Sequence, residues 1–406
     1  MSDRPTSGAL AGVRVLDLSR VLAGPWATQI LGDLGAEILK IEKPGAGDDT
    51  RGWGPPFLTD PDGAQGDAAY FLSANRNKRS LAIDFTKTEG AEIIRRLAPH
   101  CQILVENFKT GGLKKYGLDY ASVSALNPAL VYCSITGFGQ TGPYAKRPGY
   151  DYIIQGMGGL MSLTGEPEGE PMKSAVAVAD LFTGMYAVTA VLAALRHAER
   201  MGEGQHLDIS LLDSQVAMLA NLGASYLVSG EHPRRLGNQH ASIAPYQVLP
   251  TADGHIILAI GNDGQFADFC AEAGLDLAVD PRFARNPARV RNRDALTLLL
   301  QAATRTRTTA QWVAALEAAQ VPCGPINTLE QVYADPQVLS RGAVETVSRS
   351  NGAELRLAAN PIRMSKTPPV TKSAPPLLGH DTEEALRDVL GLDAEEIARL
   401  RTAGAI

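Results

Sequence analysis

The sequence predicts an α/β protein: a doubly wound parallel sheet in a large discontinuous domain, with a smaller α+β domain inserted. Three observations predict it. Apolar strand-like runs alternate with helix-like segments through the first third, the pattern of parallel strands covered by helices. A hairpin signature then interrupts that alternation near residue 246. Finally, the 406 residues exceed the roughly 250–300 that one hydrophobic core organises.

Taken in order, "GVRVLDLS" (12–19) reads as a strand, "PWATQILGDLGA" (25–36) as a helix and "EILKIEK" (37–43) as the next strand. A second unit follows with "SLAIDF" (80–85), "KTEGAEIIRRLAPH" (87–100) and "QILVENF" (102–108). A short helix at 119–127 precedes the strand "ALVYCSITGFG" (129–139). After residue 184 an Ala/Val/Leu helix runs to about His197, and 202–230 reads as a strand and a further long helix. "YQVLPTADGHIILAIG" (246–261) is a hairpin about Asp253–Gly254, followed by helices at 293–306 and 309–320. These readings place the large domain at 1–226, the small domain at 227–328 and a return segment at 329–406, with Pro-rich 366–379 crossing the surface.

A net charge of −6 gives no overall attraction to nucleic acid or to an anionic membrane, and neither is expected as a partner. The start "MSDRPTSGALAG" lacks a charged-then-apolar leader, so the expected location is the cytoplasm. Cys101, Cys133, Cys270 and Cys323 lie far apart and read as reduced packing residues; the scattered histidines suggest no metal site. Ligands of doubly wound sheets sit beyond the carboxyl ends of the strands. The first such loop runs S-R-V-L-A-G-P-W-A, which is not G-x-G-x-x-G. "GFGQTG" (137–142) has the spacing but opens no helix before Pro143, and no G-x-x-x-x-G-K-[ST] occurs. A nicotinamide or P-loop site is therefore not expected. Basic residues do gather near the strand ends: Lys40 and Lys43; Arg76, Lys78 and Arg79; Lys109, Lys114 and Lys115. Three such patches suit a ligand with several phosphates and an adenine, such as coenzyme A.

One further feature needs a reason. "KSAVAVADLFTGMYAVTAVLAALRH" (173–197) is almost wholly apolar yet carries one carboxylate, Asp180. Burying an ionised acid costs several kcal/mol. Either Asp180 caps the following helix, or it is a reactive carboxylate in a dry site.

The ordered motifs resolve this by resemblance. "GVRVLDLSRVLAGPWATQILGDLGAEILKIEKPGAGDDTR", "YFLSANRNKRSLAIDF", "ILVENFKTGGLKKYGLDY", "NPALVYCSITGFGQTGP", "VADLFTG", "GPIN" and "PPLLG" together resemble the class III CoA-transferases from about Gly12 to the last helix. The resemblance implies a Rossmann-like large domain, a small domain and an interlocked homodimer. It implies acyl-CoA and a free carboxylic acid as substrates, with coenzyme A carried as substrate and no prosthetic group. The family's "G-D-x-x-x-G" acid, which forms the covalent intermediates, falls on Asp180, with Ala179 in place of the usual glycine. Asp180 at a helix start would also gain N–H groups able to stabilise developing oxyanions. Related acyl-CoA racemases carry "G-H-D"; here "PGYDY" has Tyr150 at the histidine, a poor proton acceptor, which favours transfer over racemisation. A racemase-like isomerase and an inactive CoA-binding protein are the alternatives.

By position, the resemblance places Val21, Leu22 and Ala23 along the pantetheine, Asn107 near the adenine, and Lys43 and Lys115 at the ADP phosphates. Gly137, Phe138, Gly139 and Gln140 would close over the thioester, with backbone N–H groups near the acyl oxygen. "RRLGNQHASIAPYQ" (234–247) looks more like the glutarate-using than the oxalate-using members. A dicarboxylate such as glutarate is therefore the expected acceptor and succinyl-CoA the donor, with Arg235, His240 and Tyr150 as acceptor-acid residues.

Overall fold

The computed structural model describes residues 8–406, which divide into two compact units. The first comprises 8–160, 173–230 and 337–406; the second comprises 161–172 and 231–336. The 161–172 piece joins the second unit without a composition shift that would mark it in the sequence.

In the first unit, β1 (Arg14–Asp17), α1 (Ala23–Asp33) and β2 (Glu37–Glu42) form the opening crossover. A small hairpin, β3 (Phe57–Thr59) with β4 (Gln65–Ala68), and α2 (Ala69–Ser73) precede β5 (Lys78–Ala82). Then come α3 (Thr88–Leu97), β6 (Ile103–Glu106), α4 (Tyr120–Ser124) and β7 (Val131–Thr136). Past α5 (Asp151–Met157) the turn α6 (Leu160–Leu163) passes into the second unit's 161–172 piece, and back in the first unit α7 (Val178–Met201) leads into β8 (Gln205–Ser210), α8 (Leu211–Met218) and α9 (Ala220–Ser229). Six strands make one sheet in the order β5-β2-β1-β6-β7-β8, and every pairing is parallel. The β3–β4 hairpin carries none of the alternating apolar pattern that would announce it.

Successive residues of a strand face opposite sides of a sheet, and both sides here are apolar. Leu16, Leu39, Ile41 and Leu104 pack with α3 and the C-terminal helices Thr382–Leu390 and Ala394–Thr402. Val15, Ile38, Ile103 and Val105 pack instead with α1 and α7. Helix α7 is long and apolar enough to cross a membrane, but its Ala179, Ala187, Val191 and Ala194 are buried in this core. The second unit holds a separate core, in which β9 (Tyr246–Pro250), β10 (His255–Ala259) and β11 (Cys323–Pro325) form an antiparallel sheet. Leu249, Ile256, Leu258, Phe266 and Trp312 fill that core.

Strand order reverses between β1 and β6, so the loops leaving those two strands diverge and open a crevice. Beneath it lies a set of buried charges. Lys40 donates to Asp48 Oδ2 at 2.9 Å and to the Ser19 carbonyl at 3.0 Å. Lys78 donates to Asp17 Oδ2 at 3.1 Å and to the Pro25 carbonyl at 2.9 Å. Arg76 is buried against Asp33, and Arg51 against Glu42. The reading of Lys40, Arg76 and Lys78 as ligand-facing charge is thereby corrected. Strand alternation turns Lys40 and Lys78 into the layer beneath the loops, and Arg76, ahead of β5, is buried at the other end of the sheet; each is matched to an acid. Breaking one side of a buried pair costs about 3–5 kcal/mol, because the remaining charge is left unpaired. Lys40→Met is expected to lose stability on that scale in urea unfolding; a loss below about 1 kcal/mol would contradict the role given to the pair.

Candidate active site

The β1–α1 loop is held in an unusual shape. Val21 has φ of +71°, a left-handed conformation that costs a β-branched residue energy and persists only when surroundings enforce it. Asp48 enforces it: its carboxylate accepts the Val21 N–H at 3.2 and 3.3 Å while also holding Thr50 and Lys40. Asn107, just past β6, clamps the adjoining residue, accepting from Arg20 N at 2.9 Å and donating to Arg20 O at 2.6 Å. The burial of Asp48 beside Lys40 therefore shapes the crevice wall, and Lys40 holds the Asp48 carboxyl down at about 2 against the cost of burial.

A cavity of about 720 Å³ opens at this crevice within the first unit. Of the residues picked from sequence, Val21, Leu22, Ala23, Asn107, Lys115, Gly137, Tyr150 and Asp180 all line it. Lys43 is exposed and does not line it, and neither do Phe138, Gly139 and Gln140. The Gly139 N–H is taken by Thr136 Oγ1 at 2.9 Å and the Gln140 N–H by the Asp208 carboxylate at 2.9 Å. Those two donors shape their own loop rather than face an acyl oxygen. Gly137 instead lets that loop lie against the next one: a Cβ on it would sit 2.6 Å from the Gly149 Cα.

Asp180 is the third residue of α7, which begins at Val178, ahead of the start expected from its long apolar run. It does not cap the helix. Ala177 occupies the cap position without a side-chain bond, and the cap is supplied from α5. Asp151 Oδ1 accepts the Ala179 N–H at 2.8 Å and the Asp180 N–H at 3.3 Å, while Gln155 holds its other oxygen at 2.7 Å. The helix-start N–H groups expected to stabilise an oxyanion are thus occupied by Asp151. Gly184, one turn beyond Asp180 on the same face, gives the A-D-L-F-T-G spacing its physical reason. A Cβ there would lie 2.8 Å from the Ala23 carbonyl, so only glycine lets α7 approach the β1–α1 loop this closely.

Half-buried and next to a second carboxylate, Asp180 has its carboxyl pushed up to about 7, first by burial and then by Asp151. Tyr70, on α2, is the companion that the sequence reading missed. Burial, with the charges of Asp180, Asp151 and Asp48, pushes its phenol up to about 12, so it stays a neutral O–H donor near the carboxylate. Its ring meets Trp53, a cavity-lining residue, edge-on at 5.4 Å. Nothing short of the fold brings residues 53, 70, 151 and 180 together. The cavity's cations are Arg20, Lys109, Lys115 and Arg147.

Arg235 and His240 belong to the second unit. Arg235 lines a separate cavity of about 850 Å³ there, and its guanidinium donates to the Glu166 and Gly169 carbonyls at 3.2 and 2.7 Å. His240 Nδ1 accepts from Ser242 N at 3.1 Å, which leaves Nε2 as the protonated nitrogen of the neutral ring. Tyr150 is exposed at the cavity edge, directly before Asp151.

A parallel sheet has its crevice at the order reversal, and there a destabilised carboxylate lines a cation-bearing cavity. The chain belongs to CoA-transferase family III, whose sequence model matches residues 10–382, and it is a CoA-transferase. It is 50% identical over 391 residues to a succinate–glutarate CoA-transferase of Agrobacterium fabrum, covering 96% of this chain and 98% of that one. Identity to the succinyl-CoA:glutarate CoA-transferase of Mus musculus is 42% over 406 residues, covering 100% of this chain and 92% of the relative. Among solved structures, a CAIB/BAIF family protein from Brucella suis superposes with a TM-score of 0.85 at 49% identity, covering 95% of this chain and 100% of that one.

Proposed function

We propose that this enzyme moves coenzyme A from succinyl-CoA to glutarate, with Asp180 as the nucleophile. The observation that carries the chemistry is a destabilised, half-buried carboxylate at the end of a cavity whose cations suit coenzyme A. The names of the full-length relatives carry the substrates.

An Asp180 oxygen attacks the succinyl thioester carbon; the C–S bond breaks and CoA leaves as thiolate, giving a mixed anhydride. The thiolate attacks the Asp180 carbonyl carbon, succinate departs with the bridging oxygen, and an aspartyl-CoA thioester remains. Glutarate then attacks that thioester carbon and releases the thiolate again. Attack on the glutaryl carbonyl yields glutaryl-CoA and restores the Asp180 carboxylate. One thioester is exchanged for another, and no net proton is taken up. A carboxylate that burial makes costly to ionise is a more basic attacking group than a solvated one. Tyr70, whose phenol burial and the neighbouring carboxylates push up to about 12, stays protonated throughout the working pH range. Tyr150 stands where a racemase of this fold needs a proton acceptor, which weighs against racemisation.

The same surface argues for a second copy of the chain. Phe182, Met185 and Tyr186 on the outward side of α7 are 45, 44 and 45% exposed, and Leu227 and Val228 on α9 are 83 and 89% exposed. Exposed apolar surface of this kind marks an interaction site, and we infer that a second copy of the chain covers it. Light scattering is expected to return twice the chain mass; a monomer at micromolar concentration would contradict this.

Incubation of succinyl-CoA with glutarate is expected to give glutaryl-CoA, and Asp180→Asn is expected to abolish it while free CoA still binds. Retained turnover would remove Asp180 from the nucleophile's role. Because the carboxylate form attacks, activity should rise with pH and pass half-maximum near 7. Glu106, also pushed to about 7 by burial, titrates in the same range. Asp151→Asn separates the two: it removes the negative neighbour of Asp180 alone, so the midpoint should move to lower pH. An unmoved midpoint would count against the Asp180 assignment.

A further inference from the structure

The four cations of the active-site cavity do not form one group. Arg20 is bonded through its backbone to Asn107, lies over Phe108 at 4.9 Å and is paired with Asp49 at 3.1 Å. Lys115 lies over Tyr116 at 4.7 Å, and Phe85 meets both Phe108 and Tyr116 edge-on. Lys109 follows Phe108 directly. These three cations therefore share the end of the cavity formed by the loops after β1 and β6, where a ligand with several phosphates finds dispersed positive charge.

Arg147 stands apart. It sits on the segment after β7, with its guanidinium 4.5 Å from the Tyr144 ring and 5.3 Å from the Phe138 ring. That segment runs on through Tyr150 to Asp151, whose carboxylate accepts the Asp180 N–H at 3.3 Å. Four residues of chain span at most about 14 Å between the Arg147 and Asp151 backbones, and Arg147 and Asp180 line the same cavity. Among the described residues, no acid and no carbonyl accepts a hydrogen bond from the Arg147 side chain, in contrast to the buried arginines of this unit and to Arg235.

We propose that Arg147 binds the second carboxylate of the dicarboxylic acid whose first carboxylate reacts at Asp180. Its planar fork matches a carboxylate in two parallel hydrogen bonds, and stacking on Tyr144 and Phe138 holds it in place before the acid arrives. This gives the first unit a task that the sequence reading gave to Arg235, which bonds two loop carbonyls in the second unit. The inference rests on the diacid-transfer reading above, and it adds the residue that discriminates diacids from monoacids.

The test compares kcat/KM for glutarate and for pentanoate, which has the same carbon number and one carboxylate. Succinyl-CoA is the donor in both arms, so any loss on the donor side cancels in the ratio. Arg147 is exposed, so its variants are expected to fold, and melting temperature checks this. Arg147→Leu is expected to lower the glutarate-to-pentanoate ratio at least tenfold, and Arg147→Lys to restore part of it. Affinity for free CoA, measured by calorimetry, should stay within threefold of wild type. A preference that survives in Arg147→Leu would overturn the assignment, as would a tenfold loss of CoA affinity, which would place Arg147 on the nucleotide. A wild-type enzyme without preference for glutarate would instead refute the diacid reading, and this proposal with it.

Discussion

The ion pair between Lys40 and Asp48, wholly buried beneath the crevice, is the constraint on which the site depends. Such pairs contribute little net stability compared with well-packed apolar side chains. What this one supplies is shape. Asp48 can hold Val21 in a left-handed turn only while it is itself ionised and fixed, and Lys40 does both. The turn aims Val21, Leu22 and Ala23 into the cavity and starts α1 at a point where α7 can meet it. Gly184 completes that contact, and Asp180, one helical turn earlier, is delivered to the same wall.

The proposed nucleophile is thus shaped by the scaffold in two ways. Its place is set by close approach of two helices, and its reactivity by a neighbour that performs the capping it might have performed itself. Asp151 satisfies the first N–H groups of α7 and at the same moment puts a second negative charge beside Asp180. A helix start would by itself favour an ionised carboxylate; occupying its donors with another acid removes much of that advantage. The result is a carboxylate that gains by forming an ester-like bond.

Much of this was legible in the sequence, and the failures have physical causes. The parallel strands could be read because both faces of that sheet are buried, which gives β1, β2, β6 and β7 continuous apolar runs. Asp180 stood out because an acid in an apolar segment is costly, but that cost alone left a helix cap and a reactive carboxylate both open, and the resemblance chose between them. The β3–β4 hairpin and the 161–172 insertion could not, since short polar strands carry no periodic signal. Nor could charge alone separate Lys40 and Lys78, which pair in the interior, from Lys109 and Lys115, which line the cavity. That distinction depends on which acids the fold brings opposite. Tyr70 and Asp151 meet Asp180 from far away in the chain, and Arg147 shares a cavity with it only through the fold, so the three-dimensional arrangement alone reveals them.

The central claim is that Asp180 carries the coenzyme covalently between donor and acceptor. Mass spectrometry of the protein after mixing with succinyl-CoA alone tests it most directly, with peptide mapping of any adduct. The account predicts a CoA thioester on the Asp180 peptide that disappears when glutarate is added and never forms in Asp180→Asn. An adduct on another residue would contradict it, as would full turnover with no CoA adduct trapped at any time.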